Sequence, residues 1–242
     1  MSKKVTYADA IEKVMLENGY FASLKQLYKE IWKYKDRSEI TGKTPDNTIQ
    51  EKVQRDKRFT KIGLGFYALA DKIHLLKEDI FPRGKKERLQ KNHREIQGML
   101  LEIGNARKEV HGTYTRDKNA LYHNKETLGT LSTLQTVPPF TYKKIIKESV
   151  NFADVIWFNE RGFPLKIFEV EHSTDFRDSF IKFMELQDFL TEFICISGQE
   201  RKNKFDRELA KNAFYPIKKR VKFYSYKQVE NDYNASLAKV YI

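Results

Sequence analysis

Phe152-Ala-Asp-Val-Ile-Trp-Phe158, Asn159-Glu-Arg-Gly-Phe-Pro164 and Leu165-Lys-Ile-Phe-Glu-Val-Glu171 follow one another without a break, and their reading decides the fold of the carboxy-terminal half. The outer stretches are rich in β-branched and aromatic residues and the middle one in turn residues, so the segment predicts a β-hairpin. Side chains alternate along a strand. Glu169 and Glu171 therefore share one face, about 6–7 Å apart at roughly 3.3 Å per residue, and Asp154 faces them from the neighbouring strand. Val155, Trp157, Phe168 and Val170 make the opposite face apolar, which argues for burial on both sides rather than a half-exposed hairpin with its acids in water. Three carboxylates crowded on a buried sheet repel one another. A hard divalent cation relieves that repulsion, and Mg²⁺, with Mn²⁺ able to substitute, suits a site of carboxylates completed by water and phosphate oxygens.

Working outward, His93-Arg-Glu-Ile-Gln-Gly-Met-Leu-Leu-Glu-Ile-Gly104 predicts an amphipathic helix before the hairpin. Phe176, Phe180, Phe183 and Met184 recur at helical spacing after it, and Phe193–Ser197 and Val221–Ser225 read as further strands. An aspartate, a hairpin-length gap and Glu-x-Glu, within the order helix, hairpin, helix, strand, resemble the PD-(D/E)xK nuclease superfamily in its Glu-x-Glu variant. The sequence departs from the majority form at Glu171, where lysine usually stands, and at Phe152-Ala153, where a proline can precede the aspartate. The resemblance implies a restriction-endonuclease-like α/β core with a mixed central sheet that hydrolyses phosphodiesters with a divalent metal. It makes Asp154 and Glu169 the primary ligands, with Glu171 orienting water or holding a second metal. A residue of the first helix completes such sites, and Glu95, Gln97 and Glu102 are the candidates. Which group acts as the base stays open. His93 and His172 flank the acids in sequence and read as hydrogen-bond partners.

The amino-terminal segment carries a longer pattern. Thr6–Gly19 predicts an amphipathic helix ended by glycine, and Phe21–Ile31 a second helix. Thr44 and Pro45 open a third, as cap and first helical residue. Arg58-Phe-Thr-Lys-Ile-Gly-Leu-Gly-Phe-Tyr-Ala-Leu69 reads as two short strands joined by a Gly-x-Gly turn, with Phe59, Ile62, Phe66, Tyr67 and Leu69 in the core. Three helices and a β-wing make a winged helix-turn-helix. Gly42-Lys-Thr-Pro-Asp46 followed by the Arg58–Leu69 run resembles the HARE-HTH family over residues 4–71. That family is fused to restriction endonucleases and found in chromatin proteins, which implies double-stranded DNA as partner. In such a domain the third helix enters the major groove. Asn47 and Gln50 are of the types that read adenine edges, and Lys52, Arg55, Lys57, Arg58 and Lys61 stand where phosphates pass. The expected organisation is a winged helix over 1–72, a basic linker over 73–90 and a nuclease domain over 91–242.

Forty-five Lys+Arg against 33 Asp+Glu give a formal charge of +12 and a pI near 9.5, the balance of a chain that binds polyanions in a salt-dependent way. Arg201-Lys-Asn-Lys204 and Lys218-Lys-Arg-Val-Lys222 add to the basic linker Arg83–Lys91. The one cysteine, Cys195, lies in an apolar run and reads as core, so no intramolecular disulfide is expected. No apolar stretch approaches a membrane span, and Met1-Ser-Lys-Lys leads into a helix without a signal-peptide segment, so a cytoplasmic protein of a prokaryotic cell is expected. Zinc-ligand spacing, a phosphate-binding Gly-rich loop and internal repeats are all lacking. Residues 105–150, with Gly112-Thr-Tyr114 and Pro138-Pro139, are the least legible part. The function expected is a type II site-specific deoxyribonuclease. With one set of acids per chain, cutting both strands needs two chains or one site used twice, and at least a transient homodimer on DNA is expected. The alternatives are a noncatalytic DNA-binding or modification-sensing protein and a winged-helix adaptor for a protein partner.

Overall fold

The computed structural model describes residues 5–37, 45–77, 80–81, 84–122, 126–172 and 175–241. The chain divides into two compact units, Met1–Asn92 with Asn234–Ile242, and His93–Tyr233. Among the described residues no helix is long and apolar enough to cross a membrane.

In the first unit, helix α1 (Tyr7–Glu17) starts where Thr6 and Asp9 cap each other's backbone N–H groups. Gly19 and Tyr20 both take positive φ, 75° and 78°, and turn the chain into strand β1 (Phe21–Ser23). The single helix expected over Phe21–Ile31 is therefore a strand followed by helix α2 (Leu24–Glu30). The reason is local: the Ser23 hydroxyl accepts from Gln26 N–H while the Gln26 side chain accepts from Ser23 N–H, so the helix cannot begin before Leu24. Helix α3 (Pro45–Arg55) follows, and its expected cap, Thr44, lies outside the described residues with Gly42 and Lys43. Strands β2 (Phe59–Gly63) and β3 (Phe66–Leu69) form the expected antiparallel pair, and β1 joins β3 on its other side, giving the order β1-β3-β2. Ile11, Val14, Leu24, Leu27, Ile49, Val53, Phe59, Tyr67 and Leu69 are buried, and Ile62 and Phe66 pack in a cluster with Ala68 and Leu76.

Helix α4 (Lys85–Asn105) opens upstream of the expected His93, inside the stretch read as a linker. The second unit is built on a five-stranded sheet of order β4-β5-β6-β7-β8, with β4 (Gly112–Tyr114), β5 (Val155–Phe158), β6 (Pro164–Val170), β7 (Glu192–Ser197) and β8 (Val221–Ser225). β4 and β5 pair antiparallel, as do β5 and β6, whereas β6, β7 and β8 run parallel to one another, so the sheet is mixed. Strand β4 was not legible. Its three residues pair at the sheet edge, too short for alternation to register.

Alternation sorts the sheet faces. Ile156, Phe158, Ile167, Phe193, Cys195 and Val221 turn to one side, where they pack against Phe176, Phe180 and Phe183 of helix α7 (Phe176–Met184) and Phe205 of helix α8 (Lys202–Leu209). Short helices α5 (Leu128–Leu131) and α6 (Lys143–Glu148) lie in the connection after β4, and Ile146 of α6 joins the same core. The other face carries Trp157, Phe168 and Ile194, which with Leu100 and Ile103 of α4 and Val229 of helix α9 (Tyr226–Tyr241) line a small cavity. Trp157 Nε1 donates to Leu100 O at 3.0 Å, and a Cβ on Gly104 would stand 2.6 Å from that nitrogen, so only glycine lets α4 approach β5 this closely.

Candidate metal centre

Asp154 immediately precedes β5, and Glu169 sits near the end of β6. Because Val155 pairs with Phe168, the two acids come face to face one step further along the ladder. Asp154 is fixed at three points: its Oδ2 accepts from Val170 N–H at 2.7 Å, its carbonyl accepts from Thr115 Oγ1 at 2.7 Å, and its Oδ1 lies 3.4 Å from His93 Nε2. Asp154 and Glu169 are each 3% exposed and Glu171 is 7% exposed.

Each acid has its own partner. Glu169 Oε2 accepts from Lys182 Nζ at 2.5 Å, and Glu171 Oε1 accepts from Ser179 Oγ at 2.5 Å, both donors on α7. The Glu171 carbonyl accepts from Arg201 at 2.8 Å and from Ser197 Oγ. Glu169 Oε1 is buried with no hydrogen-bond partner among the described residues. His172 lies beyond Glu171, with Nδ1 hydrogen-bonded to Tyr226 OH and its ring 5.4 Å from that of His93.

The electrostatics record the crowding. Burial pushes Glu169 up to about 8, helped by the Asp154 charge and only partly opposed by Lys182. Glu171 is also raised by burial, against its bond from Ser179. Asp154 goes the other way: burial disfavours its charge, but the His93 hydrogen bond and charge, Val170 N–H and Arg116 together hold it below the usual range. His93 is raised because Asp154 and Asp117 outweigh its burial, while burial and His93 depress His172 to about 4. The site thus favours charge on Asp154 and disfavours it on Glu169.

The helix candidates separate. Gln97 Nε2 donates to Asp117 Oδ2 at 2.8 Å, so it lies one residue removed from Asp154 through the aspartate that follows β4. Glu95 and Glu102 lie on the opposite face of α4 from His93 and Gln97 by the 100° step of a helix. Glu95 is buried, and Glu102 Oε2 accepts from Tyr233 OH at 2.6 Å and Tyr122 OH at 3.1 Å. The member of α4 beside Asp154 is thus His93. Among the described residues, the three side chains that each bring a potential ligand atom within 4.8 Å of the others are His93, Asp117 and Asp154, rather than Asp154, Glu169 and Glu171.

Sequence reasoning missed Arg116, Asp117, Ser179 and Lys182. Ser179 left a signal, since it interrupts the apolar face of α7 three residues after Phe176, and Lys182 follows it by another helical step. Arg116 and Asp117 left none, because they depend on β4.

In the first unit Asn47, Lys52, Arg55, Lys57 and Lys61 are exposed and Gln50 is half-buried. Arg55 pairs with Glu51 at 2.9 Å. Arg58 is differently placed. Its guanidinium reaches Asp9 at 3.0 Å, Glu12 at 2.7 Å and Asp56 at 2.9 Å, so it ties α1 to the start of β2.

The donor set fits a divalent cation: two opposed buried carboxylates, one carrying an unpartnered oxygen, with an imidazole and a further carboxylate alongside. No curated protein matches the chain. No solved structure does either. One family does match: the type II restriction enzyme NmeDI C-terminal domain, over residues 77–239. This span holds all of β4 to β8 and every side chain of the buried acidic cluster, so the chain belongs to the family of the type II restriction enzyme NmeDI C-terminal domain.

Proposed function

We propose that the chain is a sequence-specific, divalent-metal-dependent double-stranded DNA endonuclease of the type II restriction class. The observation that carries this reading is Asp154 set against Glu169 at the end of the β5–β6 hairpin, both buried, with Glu169 Oε1 unpartnered among the described residues. The family match, the mixed sheet and the helix-hairpin-helix-strand order support a PD-(D/E)xK-like core in its Glu-x-Glu form.

A divalent cation, Mg²⁺ or Mn²⁺, bound there would supply Lewis acidity and lower the pKa of a water near the scissile phosphate. Asp154 and Glu169 would hold it, and the cation's charge would offset the burial that disfavours the ionised form of Glu169. Lys182, 2.5 Å from Glu169 in the cation's absence, is the positive group positioned to steady charge on a phosphate oxygen. Ser179 keeps the Glu171 carboxyl turned towards α7, which suits a group orienting water.

Helices α1 to α3 and the three-stranded antiparallel sheet of the first unit support a HARE-type winged helix in which α3 faces the DNA. Asn47 and Gln50 would meet bases, and Lys52, Arg55, Lys57 and Lys61 phosphates. Arg58, engaged by three carboxylates, is left out of that surface. With one cluster per chain, a homodimer, at least transient, on the duplex would cut both strands together, whereas a monomer would have to cut them in turn. The test is incubation of the full chain with unmodified and methylated plasmid DNA and Mg²⁺ or Mn²⁺, followed by sequencing of the ends. Cleavage at a fixed site that Asp154→Asn abolishes is expected. Binding without any cleavage would instead favour the noncatalytic alternative.

A further inference from the structure

Two side chains beside the hairpin acids, His93 and Asp117, are not explained by a centre made of Asp154 and Glu169 alone. His93 Nε2 lies 3.4 Å from Asp154 Oδ1 and 3.9 Å from Asp117 Oδ2, and one ligand atom from each of the three falls within 4.8 Å of the others. The residues come from separate elements: α4, the segment after β4, and the start of β5. Asp117 is held in place by Gln97 Nε2 at 2.8 Å and by its own N–H on Thr115 Oγ1 at 3.3 Å. Ligating groups anchored by neighbouring hydrogen bonds are the usual construction of a metal site. Independently, the buried, unpartnered Glu169 Oε1 belongs to the residue directly opposite Asp154 in the ladder.

We infer that His93 and Asp117 join Asp154 as ligands of the cation, so that the centre takes one imidazole nitrogen and prefers first-row transition cations to Mg²⁺. This rests on the proposed reading of Asp154 and Glu169 as a metal centre. Mg²⁺ takes oxygen ligands almost exclusively, whereas imidazole suits the later first-row ions. One group opposes binding. Arg116 Nε stands 3.4 Å from Asp117 Oδ1 and 3.5 Å from Asp154 Oδ1, a cation close to the position a metal would take. Arg116 therefore competes with the metal and must turn away as it binds, towards the phosphates of a DNA substrate.

The experiment uses the full chain without DNA and Mn²⁺ alone as the probe. Pulsed EPR of bound Mn²⁺ should show coupling to a ¹⁴N nucleus that disappears in His93→Gln and persists in His172→Asn. Calorimetry should show Mn²⁺ affinity falling by roughly 10-fold or more in His93→Gln and Asp117→Asn. It should rise in Arg116→Gln, and Co²⁺ titrated in the same way should lose more affinity than Mg²⁺ in His93→Gln. Circular dichroism of each variant checks that the fold is kept, and Asp117→Asn tests the cluster even if His93→Gln misfolds. The inference is overturned if wild-type Mn²⁺ shows no nitrogen coupling, or if that coupling survives His93→Gln, while Asp154→Asn still abolishes binding. That last result leaves the hairpin acids as the metal centre. Undiminished binding in Asp154→Asn would sink the underlying reading as well.

Discussion

Both units gather carboxylates around cations, and they do so in opposite ways. In the first, one guanidinium, Arg58, meets Asp9, Glu12 and Asp56 at the surface, where every partner keeps at least a quarter of its side chain in water. Each acid there has its donor, and the network ties α1 to the α3–β2 turn. In the second, Asp154, Glu169 and Glu171 are buried, burial raises Glu169 and Glu171 against the groups beside them, and among the described residues one oxygen of Glu169 has no partner. A solvated ion network is a fastening worth little energy. A buried, under-compensated acidic cluster costs stability and persists where something else completes it. Counting charges by sequence cannot tell the two apart, because Asp, Glu, Lys and Arg appear in both. Burial does.

The widest separation between the clusters should appear in cleavage. Asp154→Asn keeps the shape of the side chain but removes its charge, and the cleavage rate should fall by roughly 100-fold or more while DNA affinity, carried by basic residues elsewhere, changes little. Arg58→Met should leave both nearly untouched. Nicking assays and binding isotherms at several salt concentrations measure the two. If Arg58→Met flattened the salt dependence, the arginine would be a phosphate contact after all and the contrast would collapse.

Lys182→Met comes next in size. Its ammonium lies 2.5 Å from Glu169, and on the proposed reading, in which it steadies charge on a phosphate oxygen, its loss should slow cleavage by about 100-fold. Single-turnover rates with saturating enzyme isolate the chemical step. A change in DNA affinity alone would reduce Lys182 to a surface phosphate contact.

How much of this was legible follows from the range of the interactions. The hairpin, the α7 stripe, strands β7 and β8 and the Gly-x-Gly turn all rest on local periodicity, and the sequence carried them. β1 was hidden because Phe21–Ser23 is too short to alternate, although the reciprocal cap of Ser23 and Gln26 marked the true start of α2. Asp154, Glu169 and Glu171 were readable because register alone brings them to one end of the hairpin. His93 was read as a hydrogen-bond partner and stands beside Asp154, whereas Glu95 and Glu102 of the same helix lie on its other face. The rotation of α4 is set by Trp157 docking on Leu100 and by the close approach at Gly104, contacts made between residues far apart in the chain. Asp117 reaches the site only because β4 pairs with β5, which nothing local announces.

A smaller effect appears in the stability of the metal-free protein. The folded-state pKa of Glu169, about 8, lies above its ordinary value of 4.5, chiefly through burial. Its contribution to stability is therefore fully present below about pH 4.5 and is lost as the pH rises through about 8. Glu169→Gln is neutral at every pH. Urea midpoints with a chelator present should fall less for the variant than for the wild type between about pH 5 and pH 8.5. Equal slopes would mean that Glu169 is already compensated, and the contrast between the clusters would weaken.

The smallest effect belongs to the surface network, and it has the opposite sign. Asp9 is lowered to about 2, first by its bond with Thr6 and then by Arg58, while Asp56 is lowered first by Arg58 itself. Depressed acids contribute stability that is present above their ordinary value of 3.8 and lost as the pH falls through the folded value, so this network weakens on the acid side, where Glu169 contributes most. In Arg58→Met, carboxyl NMR titrations should show Asp56 moving most of the way back to its ordinary value. Asp9 should move only partway, since Thr6 still caps it. Added salt should shrink both differences, as these groups face water. If Asp9 instead moved further than Asp56, the arginine rather than the helix cap would be what holds α1, and the fastening would rest on charge more than on backbone capping.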